Sequence, residues 1–164
     1  MPQATEGDFV YRGGRFALIV ARFNDTITGR MLDGALDTLR RSGVDVDADV
    51  EVFWVPGAFE LPIAAQRIAQ TGRFQAIVAL GCVIRGGTPH FDYVAGQAAS
   101  GLTSVSLSAN IPVCFGVLTT DNIEQALARS GTKMGNKGHE ATISAIEMVN
   151  LLRAVDASKE TSNG

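Results

Sequence analysis

Four short apolar runs punctuate the chain: Arg15 to Ala21, Asp49 to Val55, Phe74 to Leu80 and Pro112 to Leu118. Each is short, with branched or aromatic side chains in succession rather than in alternation, the pattern of a strand buried on both faces. Between them the apolar positions change to helical spacing. Met31, Ala35 and Leu39, with Leu32 and Leu36, mark a helix over Thr28 to Ser42 that Gly43 stops. Pro56-Gly57-Ala58-Phe59-Glu60-Leu61-Pro62 opens a second helical stretch that reaches Thr71 and ends at Gly72, with prolines where a helix start tolerates them. Phe91 to Ala109 is a third, dotted with Ala95, Gly96, Ala98, Ala99 and Gly101, which suits a close neighbour, either the sheet or a second copy of the chain. Ile123 to Arg129 follows the capping residues of Thr119-Thr120-Asp121-Asn122 as a short helix. Glu140 to Val155 is the last, with Ile143, Ile146, Leu151 and Leu152 among its apolar positions.

Strands alternating with helices predict an α/β fold with a four-stranded parallel sheet and right-handed crossovers. Residues 1–14 read as a polar N-terminal arm outside the core, with a short edge strand at Phe9 to Tyr11. Residues 15–155 form a single domain, and residues 156–164 read as a frayed polar tail.

Composition narrows the function classes. A chain of 164 residues fits one domain with a sizeable core. With 46% hydrophobic and 19% charged residues and a net charge of −3, it has no basic face for nucleic acid. No apolar run reaches membrane-spanning length, and the N-terminal residues lack the basic and apolar regions of a signal peptide. Cys82 and Cys114 have neither metal-ligand spacing nor the density of a disulfide scaffold, so the expected compartment is a reducing cytoplasm.

The chemistry concentrates in Gly81-Cys82-Val83-Ile84-Arg85-Gly86-Gly87-Thr88-Pro89-His90-Phe91-Asp92-Tyr93. This stretch leaves a strand, turns through glycines that let backbone N–H groups approach a ligand, and enters a helix whose positive end favours an anion. Thr88 adds a hydroxyl, and His90 stands where it can exchange protons with whatever carries that anion. The same composition also fits an ordinary tight turn with a helix-start histidine that does no chemistry. Arg22-Phe23-Asn24 follows the first strand, Ala58-Phe59-Glu60 the second, and Thr119-Thr120 the fourth, which puts all four loops on the rim where parallel sheets bind ligands. Phe23 there is a stacking platform or a core aromatic. Glu60 is a ligand-binding carboxylate or a partner of the helix dipole. Arg129 and Lys137 occupy positions where solvated cations are common, and His139 reads as a surface residue without a partner.

Four motifs in this order carry a resemblance: Arg22-Phe23-Asn24, Val55 to Pro62, Gly81 to Tyr93, and Gly131-Thr132-Lys133-Met134-Gly135-Asn136-Lys137-Gly138. Over roughly residues 15 to 155 the chain resembles the 6,7-dimethyl-8-ribityllumazine synthases of riboflavin biosynthesis. It departs from the commoner pattern at Gly87 and Met134, and its N-terminal arm does not align. The resemblance implies a flavodoxin-like three-layer α/β/α sandwich. It further implies a transferase, working without cofactor or metal, that condenses 5-amino-6-(D-ribitylamino)uracil with 3,4-dihydroxy-2-butanone 4-phosphate.

Carried over residue by residue, Phe23 stacks on the pyrimidine, Asn24 with Ala58, Phe59 and Glu60 holds the ribityl chain, and Cys82, Val83 and Ile84 bind the ring edges. Gly87 and Thr88 hold the phosphate with Arg129, while His90 transfers protons. The resemblance also implies pentameric rings, in some members closed into sixty-subunit shells, in which Phe115, Arg129 and Lys137 reach the site from the neighbouring subunit. A binding module that keeps the loops without turnover, and a purely structural shell protein, are the readings from other classes.

Overall fold

The computed structural model describes residues 1–162. Its main sheet is built from β1 (Phe16–Ala21), β2 (Val50–Val55), β3 (Ala76–Ile84) and β4 (Val113–Thr120), all parallel, in the spatial order β2-β1-β3-β4. β1 and β3 are central and almost wholly buried, which is why their sequences run apolar without alternation. Their side chains still point to alternate faces. Phe16, Leu18, Val20, Ala76, Val78 and Leu80 join a cluster with α1 (Asp25–Arg41) and α6 (Lys137–Ser162). Ala17, Ile19, Ala21, Ile77, Ala79 and Val83 face α3 (Leu61–Ala69) and α4 (His90–Ala109). The predicted three-layer α/β/α sandwich is the architecture observed. Fully burying one such Leu or Ile stabilises the fold by about 1.5–3 kcal/mol.

The small residues of α4 serve this chain first. A Cβ at Gly101 would stand 2.6 Å from Cγ of Pro62, and Ala98 is fully buried against the sheet, so the spacing is what lets α3 and α4 close on each other.

Several boundaries differ from the sequence expectation, each for a local reason. α1 begins at Asp25, because Asn24 adopts the left-handed conformation (φ 62°) and its carbonyl accepts from Ile27 and Thr28 N–H, both at 3.0 Å. β3 continues through Cys82, Val83 and Ile84 and β4 through Thr119 and Thr120, because the ladder between them persists with Val83 opposite Thr119 and Ile84 opposite Thr120. A one-turn helix, α2 (Val46–Asp49), precedes β2, held by the Asp45 carboxylate, which accepts from Asp47 N–H at 3.1 Å and Ala48 N–H at 3.3 Å. After α5 (Ile123–Ala128) the glycine-rich motif from Gly131 to Gly138 takes part in an antiparallel pair, β5 (Ser130–Thr132) with β6 (Gly135–Asn136), before the chain enters α6. Residues 156–162, expected to fray, extend α6, while Asn163 and Gly164 lie outside the described residues.

The edge strand expected at Phe9 to Tyr11 does not form. The arm lies along α6 instead: Asn150 Nδ2 donates to the Asp8 and Val10 carbonyls, both at 2.9 Å, and Tyr11 packs partly buried on the core with its hydroxyl 3.0 Å from Asp49. Among the described residues, no helix is long and apolar enough to cross a membrane.

Candidate active site

The strand-end loops are stitched to one another before any ligand is considered. Arg22 N–H donates to the Val55 carbonyl at 2.7 Å and Phe23 N–H to that of Pro56 at 2.9 Å, which latches the loop after β1 to the end of β2. Asn24 Nδ2 crosses to the Cys82 carbonyl at 2.9 Å. Arg85 N–H reaches the Thr120 carbonyl at 2.8 Å and joins the ends of β3 and β4. The order in which strands are added reverses between β1 and β3, with β2 on one side and β3 and β4 on the other, and in open α/β sheets such a switch point opens a crevice beyond the carboxyl ends.

That crevice is a cavity of about 350 Å³. Cys82, Val83 and Ile84 line it from the end of β3, Phe23 and Asn24 from the loop after β1, Ala58 from the 3-10 turn after β2, and Thr88 and His90 from the start of α4. Phe23 is 72% exposed, so its ring stands open at the mouth and is not a core aromatic. Phe59 and Glu60 line an adjoining open groove of about 490 Å³ that shares Phe23, Ala58, His90 and Val94 with the cavity. His90 therefore stands at the junction of the two spaces. In the loop before it, Gly86 lines the cavity and Gly87 does not. Burial pushes the Cys82 thiol up to about 11, so this side chain is a neutral, weakly polar wall, and Cys114 is raised to about 11 for the same reason.

The remaining three expected residues lie elsewhere. Phe115, Arg129 and Lys137 line a second pocket of about 330 Å³ along the free edge of β4, beside Met134 and Glu140. Arg129 closes α5 and bonds the Gln125 carbonyl at 3.1 Å, while Lys137 N–H bonds the Arg129 carbonyl at 2.9 Å and its Nζ lies 3.7 Å from Glu140. No residue lines both pockets, so one chain holds the imidazole and the cations apart.

His139 is not a free surface residue. Its Nδ1 lies 2.6 Å from Thr38 Oγ1, and that hydroxyl also donates to the Gly34 carbonyl at 2.7 Å, which clasps the start of α6 to α1. Sequence reasoning also missed Phe91, Val94 and Ile123 in the cavity wall and Tyr93 in the groove. Val94 was legible, because it stands one helical turn after His90 and shares its face. Ile123 carried no such signal, since only the folding of β4 beside β3 brings the start of α5 to the rim.

Fold and cavity together define an α/β domain of flavodoxin-like topology, with a crevice, a glycine-rich loop and an imidazole at the switch point. Comparison with known proteins then narrows the class. The 6,7-dimethyl-8-ribityllumazine synthase profile matches residues 13–153, and the chain belongs to that family. It is 54% identical over 155 residues to the enzyme of that name from Syntrophus aciditrophicus, covering 94% of this chain and 100% of the relative. To the one from Desulfatibacillum aliphaticivorans it is 57% identical over 151 residues (92% and 97% covered), and to that from Yersinia pestis 54% over 150 (92% and 96% covered).

Proposed function

We propose that the chain makes 6,7-dimethyl-8-ribityllumazine from 5-amino-6-(D-ribitylamino)uracil and 3,4-dihydroxy-2-butanone 4-phosphate, in the cytoplasm, with each site shared between two subunits of a ring. The observation that carries this reading is the division of the expected residues: Phe23, Asn24, Ala58, Cys82 to Ile84, Thr88 and His90 surround one cavity, whereas Phe115, Arg129 and Lys137 surround another. A neighbour presenting its β4 edge to this cavity brings the two together. Such a head-to-tail contact closes into a ring, and five subunits is the number we infer.

The chemistry follows from the groups each half holds. The uracil ring stacks on Phe23, its ribityl chain runs into the groove beside Phe59 and Glu60, and the phosphate sits at Thr88 near the start of α4, facing Arg129 and Lys137 of the neighbour. The 5-amino nitrogen attacks the ketone carbon, and loss of one water gives an imine. His90 takes a proton from the carbon next to the imine. The electron pair left behind forms a carbon–carbon double bond as phosphate departs with the electrons of its carbon–oxygen bond. A guanidinium that donates two hydrogen bonds stabilises that leaving anion. The resulting enol returns to a ketone, the ribityl-bearing nitrogen closes the second ring on it, and a second water leaves. Holding two substrates in one geometry supplies most of the acceleration.

Mixing the purified chain with both substrates and following the lumazine absorbance tests the reaction, and sedimentation at the assay concentration tests the ring. A monomer that turns over both substrates would overturn the shared site, because each chain alone separates His90 from Arg129.

A further inference from the structure

The loop that leads into His90 has little to hold it. Residues 85–90 are all exposed, and no atom beyond the chain neighbours comes within 4 Å of where a Cβ would stand at Gly86 or Gly87. Its position is set at its ends, by Arg85 N–H on the Thr120 carbonyl at 2.8 Å and by Asp92 N–H on the Pro89 carbonyl at 3.1 Å. The Arg85 side chain spans the gap between these anchors. Its Nε lies 3.2 Å from Asp121 in the loop after β4, a terminal nitrogen lies 3.5 Å from Asp92 in the first turn of α4, and its guanidinium carbon lies 4.3 Å from the centre of the Phe91 ring. One planar group thus joins the end of β3, the start of α4 and the loop after β4. Phe91, under its plane, is a wall of the cavity.

Charge tells against the simpler role. Two carboxylates around one guanidinium leave the cluster net negative, and a cation so committed is a poor ligand for a phosphate dianion.

We propose that Arg85 is a positioning residue for the anion loop: by clamping Phe91 and Asp92 against Asp121, it sets where Thr88 and His90 stand relative to the strand ends. It thereby governs affinity for the phosphate-bearing substrate without touching it. The inference rests on the reading of this loop as the phosphate-binding one.

The test compares wild type with Arg85→Met, Arg85→Lys and Asp121→Ala, by KM for each substrate and by titration of inorganic phosphate. Salt is held at about 0.5 M, where screening over a few ångströms removes most long-range charge effects. Arg85→Met is expected to raise the KM for butanone phosphate and the Kd for inorganic phosphate about three- to tenfold, the reach of two exposed ion pairs and one cation–π contact. The KM for the ribityl compound and the melting temperature stay unchanged. Arg85→Lys restores part of the loss, since an ammonium keeps the charge without the planar fork. Asp121→Ala shifts phosphate affinity in the same direction as Arg85→Met. Tighter phosphate binding in Asp121→Ala would identify Arg85 as a direct phosphate ligand and overturn the proposal, as would equal losses for both substrates or none for either. A wild type that binds phosphate but forms no lumazine would remove the catalytic reading, while the phosphate titrations would still decide the role of Arg85.

Discussion

The two pockets solve the problem of placing polar groups in opposite ways. Around His90, the walls come from the ends of three parallel strands, two of them buried on both faces, and the loops are tied across by main-chain hydrogen bonds. Around Arg129 and Lys137, the walls come from a sheet edge, the end of the six-residue α5, a short hairpin and the start of α6, and the cations stand at helix ends rather than on the sheet. The first pocket has an imidazole and no cation among its lining residues, whereas the second has two cations and no imidazole. A rigid floor suits a site that orients a flat ring. Cations presented at an edge suit a contact completed by another molecule.

The sharpest test of this division starts with His90. Replacing it with Ala is expected to lower turnover about 10- to 10³-fold, the contribution of one proton-transfer group with proximity still operating. Unchanged turnover would remove His90 from the reaction. A mixed preparation sharpens the point: subunits carrying only His90→Ala, reassembled with subunits carrying only Arg129→Ala, should recover about a quarter of the wild-type sites, because neighbour pairs with both native halves arise at that frequency in a head-to-tail ring. No recovery would place both residues in one subunit's site.

Next in size is Arg129→Ala alone. It should weaken butanone phosphate about 10- to 100-fold, as expected for lost hydrogen bonds to a charged group, and leave the ribityl compound unaffected. Equilibrium titration with each ligand decides, and matching losses would mean that Arg129 acts through the fold.

A smaller effect should separate the two pockets by packing. A Cβ at Gly138 would stand 2.0 Å from the Met31 carbonyl oxygen, so Gly138→Val must push the start of α6, and Lys137 with it, away from α1. We expect a loss of about 1–3 kcal/mol in chemical denaturation and weaker phosphate binding, with binding of the ribityl compound retained. Equal damage to both ligands would show that the pockets share one scaffold.

The smallest effect lies outside both pockets and serves as a control. Two hydrogen bonds from Arg12, both 2.6 Å, lower the Asp8 carboxyl from 3.8 to about 2. Because the folded value is depressed, the stabilisation is present above the unfolded value and disappears as pH falls through about 2. Asp8→Asn should therefore melt slightly below wild type near neutral pH, with the gap closing in strong acid. A gap that widens in acid would contradict the assignment, and a change in phosphate affinity would show that the arm communicates with the rim.

Most of the fold was legible because its central strands are buried on both sides, which leaves a continuous apolar signature in β1 and β3. The ends of β3 and β4 were not. Gly81, Cys82, Thr119 and Thr120 look like loop residues, and only their pairing across the ladder keeps them in the sheet. Residues 156–162 were misread because charged and small residues suggested fraying, although Ala157, Lys159 and Glu160 are strong helix formers that simply continue α6. The edge strand expected at Phe9 to Tyr11 does not form, because the arm's partner there, Asn150, stands far away in sequence. At the site, residue type alone marked Thr88 and His90 as rim residues, and both line the cavity. The separation of Arg129 from His90 was carried by the family resemblance and not by spacing, because nothing in the linear order says which side of β4 a side chain will face.

The length of α6 has a practical side. Twenty-six residues at about 1.5 Å each make a rod of about 39 Å. It begins at the rim with Lys137, passes the arm at Asn150 and at Arg153, which donates to the Gly13 carbonyl at 3.0 Å, and leaves residues 155–161 exposed. Those last turns are therefore a natural handle: a chain attached there to a bead or an electrode would stand with its strand ends facing the solution, and a fluorophore placed there would report tumbling of the whole body without disturbing the cavity.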